Sequence, residues 1–350
     1  MTATDLILTH THNHIGYLTL NRPQAFNALN IEMIRAMQQQ LDAWQHDPDI
    51  YAICIRGNGE KAFCAGGDIR DMYHNHLKDP ALNVTFFQEE YALDYTLHTY
   101  KKPVIVIAHQ LVLGGGMGLL QGADFRVISE QTRLGMPEVA IGYFPDVGAS
   151  YFLSRLPHQA GAYMGITGNT LNATDALTVG LADYCLPLSH LAHLQHELEQ
   201  IHWEADAFET IQRLLLQQPS TQPDSELNPY WAAIEQHFQH NTVTDIVASL
   251  QNESRPEYQN WAQQTLATIT SRSPIAMCMA LALQQRGKHM TLKDCFDMEL
   301  YMDSIWFERG DIMEGVRALS IDKDKKPVWN PATLEAVTPE KIQSFFTDFK

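Results

Sequence analysis

The chain has 350 residues, 45% of them hydrophobic, a length that fits one large or two moderate domains and a composition that argues against a chain dominated by disorder. Its 24 Lys plus Arg against 41 Asp plus Glu give a formal net charge of -17, which disfavours nucleic acid and anionic membrane as partners, so a polyanionic ligand needs local basic contacts. Five cysteines (Cys54, Cys64, Cys185, Cys278 and Cys295) are widely spaced, odd in number and without a Cys-x-x-Cys pair, which points to neither a disulfide framework nor a zinc site.

Residues 6–11 and 15–20 suit two short strands joined near His12-Asn13, and Asn21-Arg22-Pro23 breaks the run. Asn30 is placed to cap a helix whose apolar positions Ile31, Ile34, Met37, Leu41 and Trp44 recur at helical spacing, and Asp47-Pro48 ends it. Residues 51–56 form a buried-type strand. A glycine-rich connection over 57–68 then leads toward a long helical segment around 82–100, and 103–109 is the next buried strand. Gly114-Gly115-Gly116 opens a short helix, 125–129 returns as a strand, and the pattern has repeated in outline. Asn172 caps a helix running to about Gly180, and 182–187 is a last strand. Beyond about residue 200 strand patterns fade and helices follow, interrupted by the Pro- and Ser-containing link 218–229. The N-terminus has no secretory or transit pattern and no apolar run is long enough to span a bilayer, so a cytoplasmic location is expected.

Glu138 and Asp146 stand eight residues apart in a segment otherwise almost uncharged. A carboxylate held against Met136, Ile141, Tyr143 and Phe144 is poorly solvated, and its proton affinity rises toward the range useful for acid-base or nucleophilic work. The simpler alternative is a helix N-terminus, with Pro137 at the first helical position and an acid beside it. Two glycine-rich turns, Phe63-Cys-Ala-Gly-Gly-Asp68 and Leu113-Gly-Gly-Gly-Met-Gly118, let backbone N–H groups approach a ligand, although a lone glycine cluster more often reflects tight packing. Neither matches a dinucleotide or phosphate-loop pattern. Of Glu89-Glu90, at most one points inward from a helix. His10, His12 and His14 are expected as exposed hairpin residues rather than as a metal site, and Asp68 as a turn or cap residue.

Taken together, Asn21-Arg-Pro with Asn27-Ala-Leu29, Ala62-Phe-Cys-Ala-Gly-Gly-Asp68, Gly114-Gly-Gly-Met-Gly118 and Met136-Pro-Glu138 resemble the enoyl-CoA hydratase/isomerase, or crotonase, superfamily. Within it, Phe144-Pro-Asp-Val-Gly148, Glu89-Glu-Tyr91, Glu314-Gly-Val-Arg-Ala318 and Ile321-Asp-Lys-Asp324 with Pro327-Val-Trp329 are similar to the 3-hydroxyisobutyryl-CoA hydrolase subfamily, over nearly the whole chain. The resemblance implies an α/β fold, a crotonase-like spiral of repeated strand-strand-helix units over 1–200 that binds acyl-CoA, followed by a helical C-terminal region over 201–350. It also implies hydrolysis of a 3-hydroxyacyl-CoA, in the valine-breakdown manner, without a metal or any cofactor beyond the coenzyme A of the substrate.

By the same resemblance the oxyanion-hole N–H groups fall on Gly67 and Gly115, the principal catalytic carboxylate on Glu138 and the hydrolase-type partner on Asp146. Glu90 becomes a substrate-site acid, and Ala25, Ala65 and Asp68 lie in turns that contact CoA. The chain departs from the hydratases at Gly118, where they carry a second glutamate, and at Asp146, where they typically have glycine. Enoyl-CoA hydration or isomerisation is the first alternative, and a non-catalytic acyl-CoA-binding protein the second. Arg22, Lys61, Arg70, Lys101 and Lys102 are candidate screens for the CoA phosphates, with solvated surface charge as the simpler reading of each. Homo-oligomers occur among crotonase relatives and are compatible with this chain.

Overall fold

The computed structural model describes residues 6–349. Strands β1 (Ile7–His12) and β2 (Ile15–Leu20) form the expected antiparallel hairpin, pairing Ile7 with Leu20 and His12 with Ile15. Asn13 and His14 make its turn with φ of 45° and 63°, so the three histidines do not share one extended face. His10 instead stacks on Tyr17, and His14 on Tyr51.

The six strands that follow β2 alternate between two sheets. Strand β3 (Ala52–Gly57) joins the larger sheet and β4 (Ala62–Cys64) the smaller; β5 (Val104–Ala108) and β6 (Leu111–Leu113) repeat the step, as do β7 (Phe125–Ser129) and β8 (Arg133–Gly135). Strand β9 (Leu171–Asn172) completes the smaller sheet, in the order β4-β6-β8-β9, and β10 (Tyr184–Leu186) the larger, in the order β1-β2-β3-β5-β7-β10. This is the strand-strand-helix spiral. From β2 to β10 the larger sheet is parallel, and the fully buried β5, Val-Ile-Val-Ile-Ala, is the continuous apolar run that burial on both faces selects. Ile15, Tyr17, Cys54, Ile105 and Val127 pack there with Leu194, Leu198, Ile211 and Leu215 of two helices, Leu191–Glu199 and Ala207–Leu216.

The capped helices form where expected: the Asn30 side chain accepts from Met33 N–H at the start of Ile31–His46, and Asn172 accepts from Asp175 N–H at the start of Ala173–Thr178. Two segments differ from expectation. Residues 57–68 hold β4 as well as a glycine turn, and Ile69–Lys78 is a separate helix. Met72 is its one buried residue, so no apolar stripe announced it. By contacts the chain forms two compact units that interleave along the sequence: Met1–Asp68, Glu89–Leu134 and Leu171–Glu226 make one, and Ile69–Gln88, Gly135–Thr170 and Leu227–Lys350 the other. The second carries the expected C-terminal helices, among them Pro256–Thr270, Pro274–Gly287 and Leu292–Arg309. No single described helix is long and apolar enough to cross a membrane.

Candidate active site

The candidate residues fall in both units, and each group is built from its own surroundings. In the first unit, β4 and β6 are parallel neighbours, with Ala62 opposite Leu111 and Cys64 opposite Val112. Parallel pairing puts their C-terminal ends side by side, and both ends run straight into glycine turns. A Cβ on Gly66, whose φ is +99°, would lie 3.2 Å from Leu113 O and 3.6 Å from Gly115 N; one on Gly116 would lie 2.5 Å from Cys64 O. Missing side chains therefore let the two turns touch.

Leu29 orients Gly67. Its N–H donates to Gly66 O and its carbonyl accepts from Asp68 N–H, both at 2.8 Å, so the bonds flank Gly67 and turn its own N–H away from Leu29. Gly115 is the first residue of the helix Gly115–Gln121, where an N–H has no acceptor within the helix. Neither amide donates to a carbonyl among the described residues. N–H groups on two touching turns, without a backbone acceptor, are of the kind from which an oxyanion can accept.

The motif around Asn27 holds this arrangement. Its buried side chain donates to Asn58 O, Ala62 O and Phe63 O at 2.9, 3.1 and 3.0 Å and accepts from Arg22 N–H at 2.9 Å. Arg22 pairs with Asp68 at 2.6 Å, and Ala65 N–H donates to Phe26 O. Ala25, in the short turn Pro23–Ala25, and Ala65 and Asp68 thus sit on two turns stitched together. Of the two adjacent glutamates, Glu89 is bound on the surface by Arg35, and Glu90 is buried. A Glu90 carboxylate oxygen lies 2.5 Å from the place a Cβ on Gly115 would take, which sets this acid directly against the second amide turn. Cys64 is no rival nucleophile, because burial pushes its thiol up to about 12. Gly118, buried within the helix, contributes no carboxylate.

In the second unit Pro137 precedes a single 3-10 turn, Glu138–Ile141, rather than a longer helix. Glu138 is 7% exposed and Asp146 5% exposed. Burial holds the Glu138 carboxyl well above its ordinary range, and the negative charge of Asp146 adds to the rise. Glu138 Oε2 has no hydrogen-bond partner. The rest of the loop is fixed from the helix Leu292–Arg309. Trp306 Nε1 donates to Gly142 O at 2.9 Å, Tyr143 OH donates to Asp303, and Glu299 accepts from Gly148 N–H at 2.7 Å and from Ser150 N–H at 2.8 Å. Tyr143 OH also lies 3.4 Å from Asp146 Oδ2.

The family model for enoyl-CoA hydratase/isomerase matches residues 15–346. The chain belongs to this family. The mitochondrial 3-hydroxyisobutyryl-CoA hydrolase of Gallus gallus is 37% identical over 345 residues, covering 97% of this chain and 88% of the relative. Among solved structures, a carnitinyl-CoA dehydratase from Mycobacterium thermoresistibile is 31% identical with a TM-score of 0.89, covering 99% of this chain and 97% of that one. An enoyl-CoA hydratase from Rhodobacter sphaeroides is 30% identical with a TM-score of 0.88, and 98% of each chain is covered. The likeness to both runs through the C-terminal helices as well as the spiral.

Glu299, Asp303 and Trp306 were not among the candidates read from the sequence. Their signal is legible in hindsight: two acids four residues apart share a helix face with the apolar Cys295 and Met302, an arrangement that a surface helix has no reason to keep. Among the candidate cations, Lys102 is committed elsewhere, donating to the carbonyls of Trp44 and Asp47 at the end of the helix Ile31–His46. Lys61 sits over the Phe26 ring at 5.8 Å. One group among the described residues has metal-ligand spacing, His190, His193 and Glu197. Its atoms already bond one another or Gln218, and it shares no residue with the candidate site.

Proposed function

We propose that the chain hydrolyses the thioester of a 3-hydroxyacyl-CoA, releasing the free 3-hydroxy acid and CoA thiol, with 3-hydroxyisobutyryl-CoA as the first substrate to test. Family membership supports an acyl-CoA substrate, and the name of the Gallus gallus relative supports this acyl group. The observation that carries the reading is the pair of buried acids, Glu138 and Asp146, on one loop, in a chain with glycine at 118 where hydratases place a second glutamate.

In this reading the N–H groups of Gly67 and Gly115 donate to the thioester oxygen as negative charge builds on it. Glu138 reacts in one of two ways. As a nucleophile its carboxylate adds to the carbonyl carbon, the C–S bond breaks, CoA leaves as thiolate and water hydrolyses the resulting anhydride. As a base it takes a proton from water, whose oxygen adds instead. Asp146 accepts a hydrogen bond from the 3-hydroxyl, and Glu90 lines the acyl site. The chemistry calls for no metal or redox group.

A second reading, addition or removal of water at the acyl chain, is favoured by the activities named for the two solved structures. One panel separates them: 3-hydroxyisobutyryl-CoA, 3-hydroxypropionyl-CoA and crotonyl-CoA, each followed for free thiol and for enoyl absorbance. Thiol release from the hydroxyacyl substrates supports hydrolysis; a change in enoyl absorbance without thiol overturns it in favour of the second reading. CoA binding without either signal identifies a binding protein.

A further inference from the structure

We propose that Glu299, Asp303 and Trp306 are positioning residues that set the aim of Asp146 and, through it, the preference for a 3-hydroxylated acyl chain. The inference rests on the role given to Asp146 above. The three side chains stand at i, i+4 and i+7 on the helix Leu292–Arg309, a spacing that stacks them on one face. They grip the loop at successive points in reverse chain order, Glu299 at Gly148 and Ser150, Asp303 at Tyr143, and Trp306 at Gly142. Asp146 lies between the outer grips.

The loop needs such a clamp. Val147, a buried β-branched residue, has φ of 52°, a conformation such side chains rarely adopt, and Gly148 follows at φ 84°. Charge adds to the strain, since Asp146 shares its surroundings with the buried carboxyls of Glu138 and Glu299. Whenever Glu138 or Glu299 ionises, repulsion between it and Asp146 would drive the loop outward if it were free to move. Glu299 opposes that movement by accepting from two backbone N–H groups and from the Ser150 hydroxyl, donors that would otherwise be buried without an acceptor. The Tyr143 hydroxyl has a single proton to give. It donates to Asp303, and its 3.4 Å contact with Asp146 Oδ2 is the weaker share. Asp303 thereby fixes the phenol oxygen beside the acid that is to meet substrate, without taking that acid over.

The test is the ratio of kcat/KM for 3-hydroxyisobutyryl-CoA to that for isobutyryl-CoA, which lacks the hydroxyl. Asp146→Asn provides the reference and collapses the ratio. Tyr143→Phe and Glu299→Gln are expected to lower it by about 10- to 100-fold, the cost of misplacing a recognising group by about an ångström. Combined with Asp146→Asn, each should change the ratio by no more than about twofold, since all act through one carboxylate. Tyr143→Phe, which removes only a hydroxyl, carries the test if Glu299→Gln fails to fold. If the positioning variants slow both substrates equally and leave the ratio intact, the clamp serves folding alone and the inference is overturned. If Asp146→Asn itself leaves the ratio unchanged, the role of Asp146 is what fails, and this inference falls with it.

Discussion

At the ends of β4 and β6 the proposed chemistry rests on backbone: two amides, placed by parallel strand pairing and by absent Cβ atoms at Gly66 and Gly116. In the loop from Glu138 to Ser150 it rests on side chains, placed by hydrogen bonds from residues about 150 positions later in the chain. The first kind of site tolerates no added atom, while the second tolerates small steric changes but not the loss of a proton donor or acceptor. The distinction also decides what each region can do: backbone N–H groups are permanent dipoles that do not titrate, whereas buried carboxyls change charge with pH.

Adding one methyl group at Gly116 should break the backbone half most severely, because the new Cβ would lie 2.5 Å from Cys64 O and force the two turns apart. Loss of an oxyanion donor costs about 100- to 1,000-fold in turnover, so Gly116→Ala should fall in that range for kcat, with thermal unfolding measured alongside to confirm that the variant is folded.

The acidic loop should differ in its response to pH. The raised Glu138 carboxyl reaches its reactive, ionised form only at higher pH than an ordinary glutamate, so kcat/KM should climb with pH along an acid limb displaced upward. Asp146→Asn removes the neighbouring negative charge, lowers the proton affinity of Glu138 and should move the limb of the residual activity to lower pH. A limb that stays in place would mean that the two acids do not share a field.

A smaller effect is expected in stability. Burial pushes the Glu299 carboxyl from 4.5 to about 8, against the hydrogen bonds of Ser150 and Gly148, which favour its ionised form. Because the folded state binds this proton more tightly, its contribution to stability is full below about pH 4.5 and is lost as pH rises through about 8. Denaturant unfolding should therefore show wild-type stability declining across that window relative to Glu299→Gln, by at most a few kcal/mol. Parallel profiles would show that Glu299 ionises normally in the fold.

The same contrast explains what the sequence made legible. Glycine turns, the Asn27 and Leu29 motif and the inward Glu90 beside the outward Glu89 are local patterns, and a short window carries them. The strands of the larger sheet were readable and those of the smaller were not: apart from the three-residue β10, the former are five or six residues long, where β4, β6 and β8 have three and β9 two. Tyr143 and Asp303 are 160 residues apart, and nothing in either neighbourhood names the other. Nor does a window reveal that 135–170 belongs to the compact unit of the C-terminal helices.

Replacing Glu138 by Gln tests the central claim most directly, because it keeps the size and burial of the side chain while removing its charge and basicity. The variant is expected to bind coenzyme A as the wild type does and no longer to release thiol from 3-hydroxyisobutyryl-CoA above the uncatalysed rate. Thiol release at the wild-type rate from the Gln variant would contradict the claim.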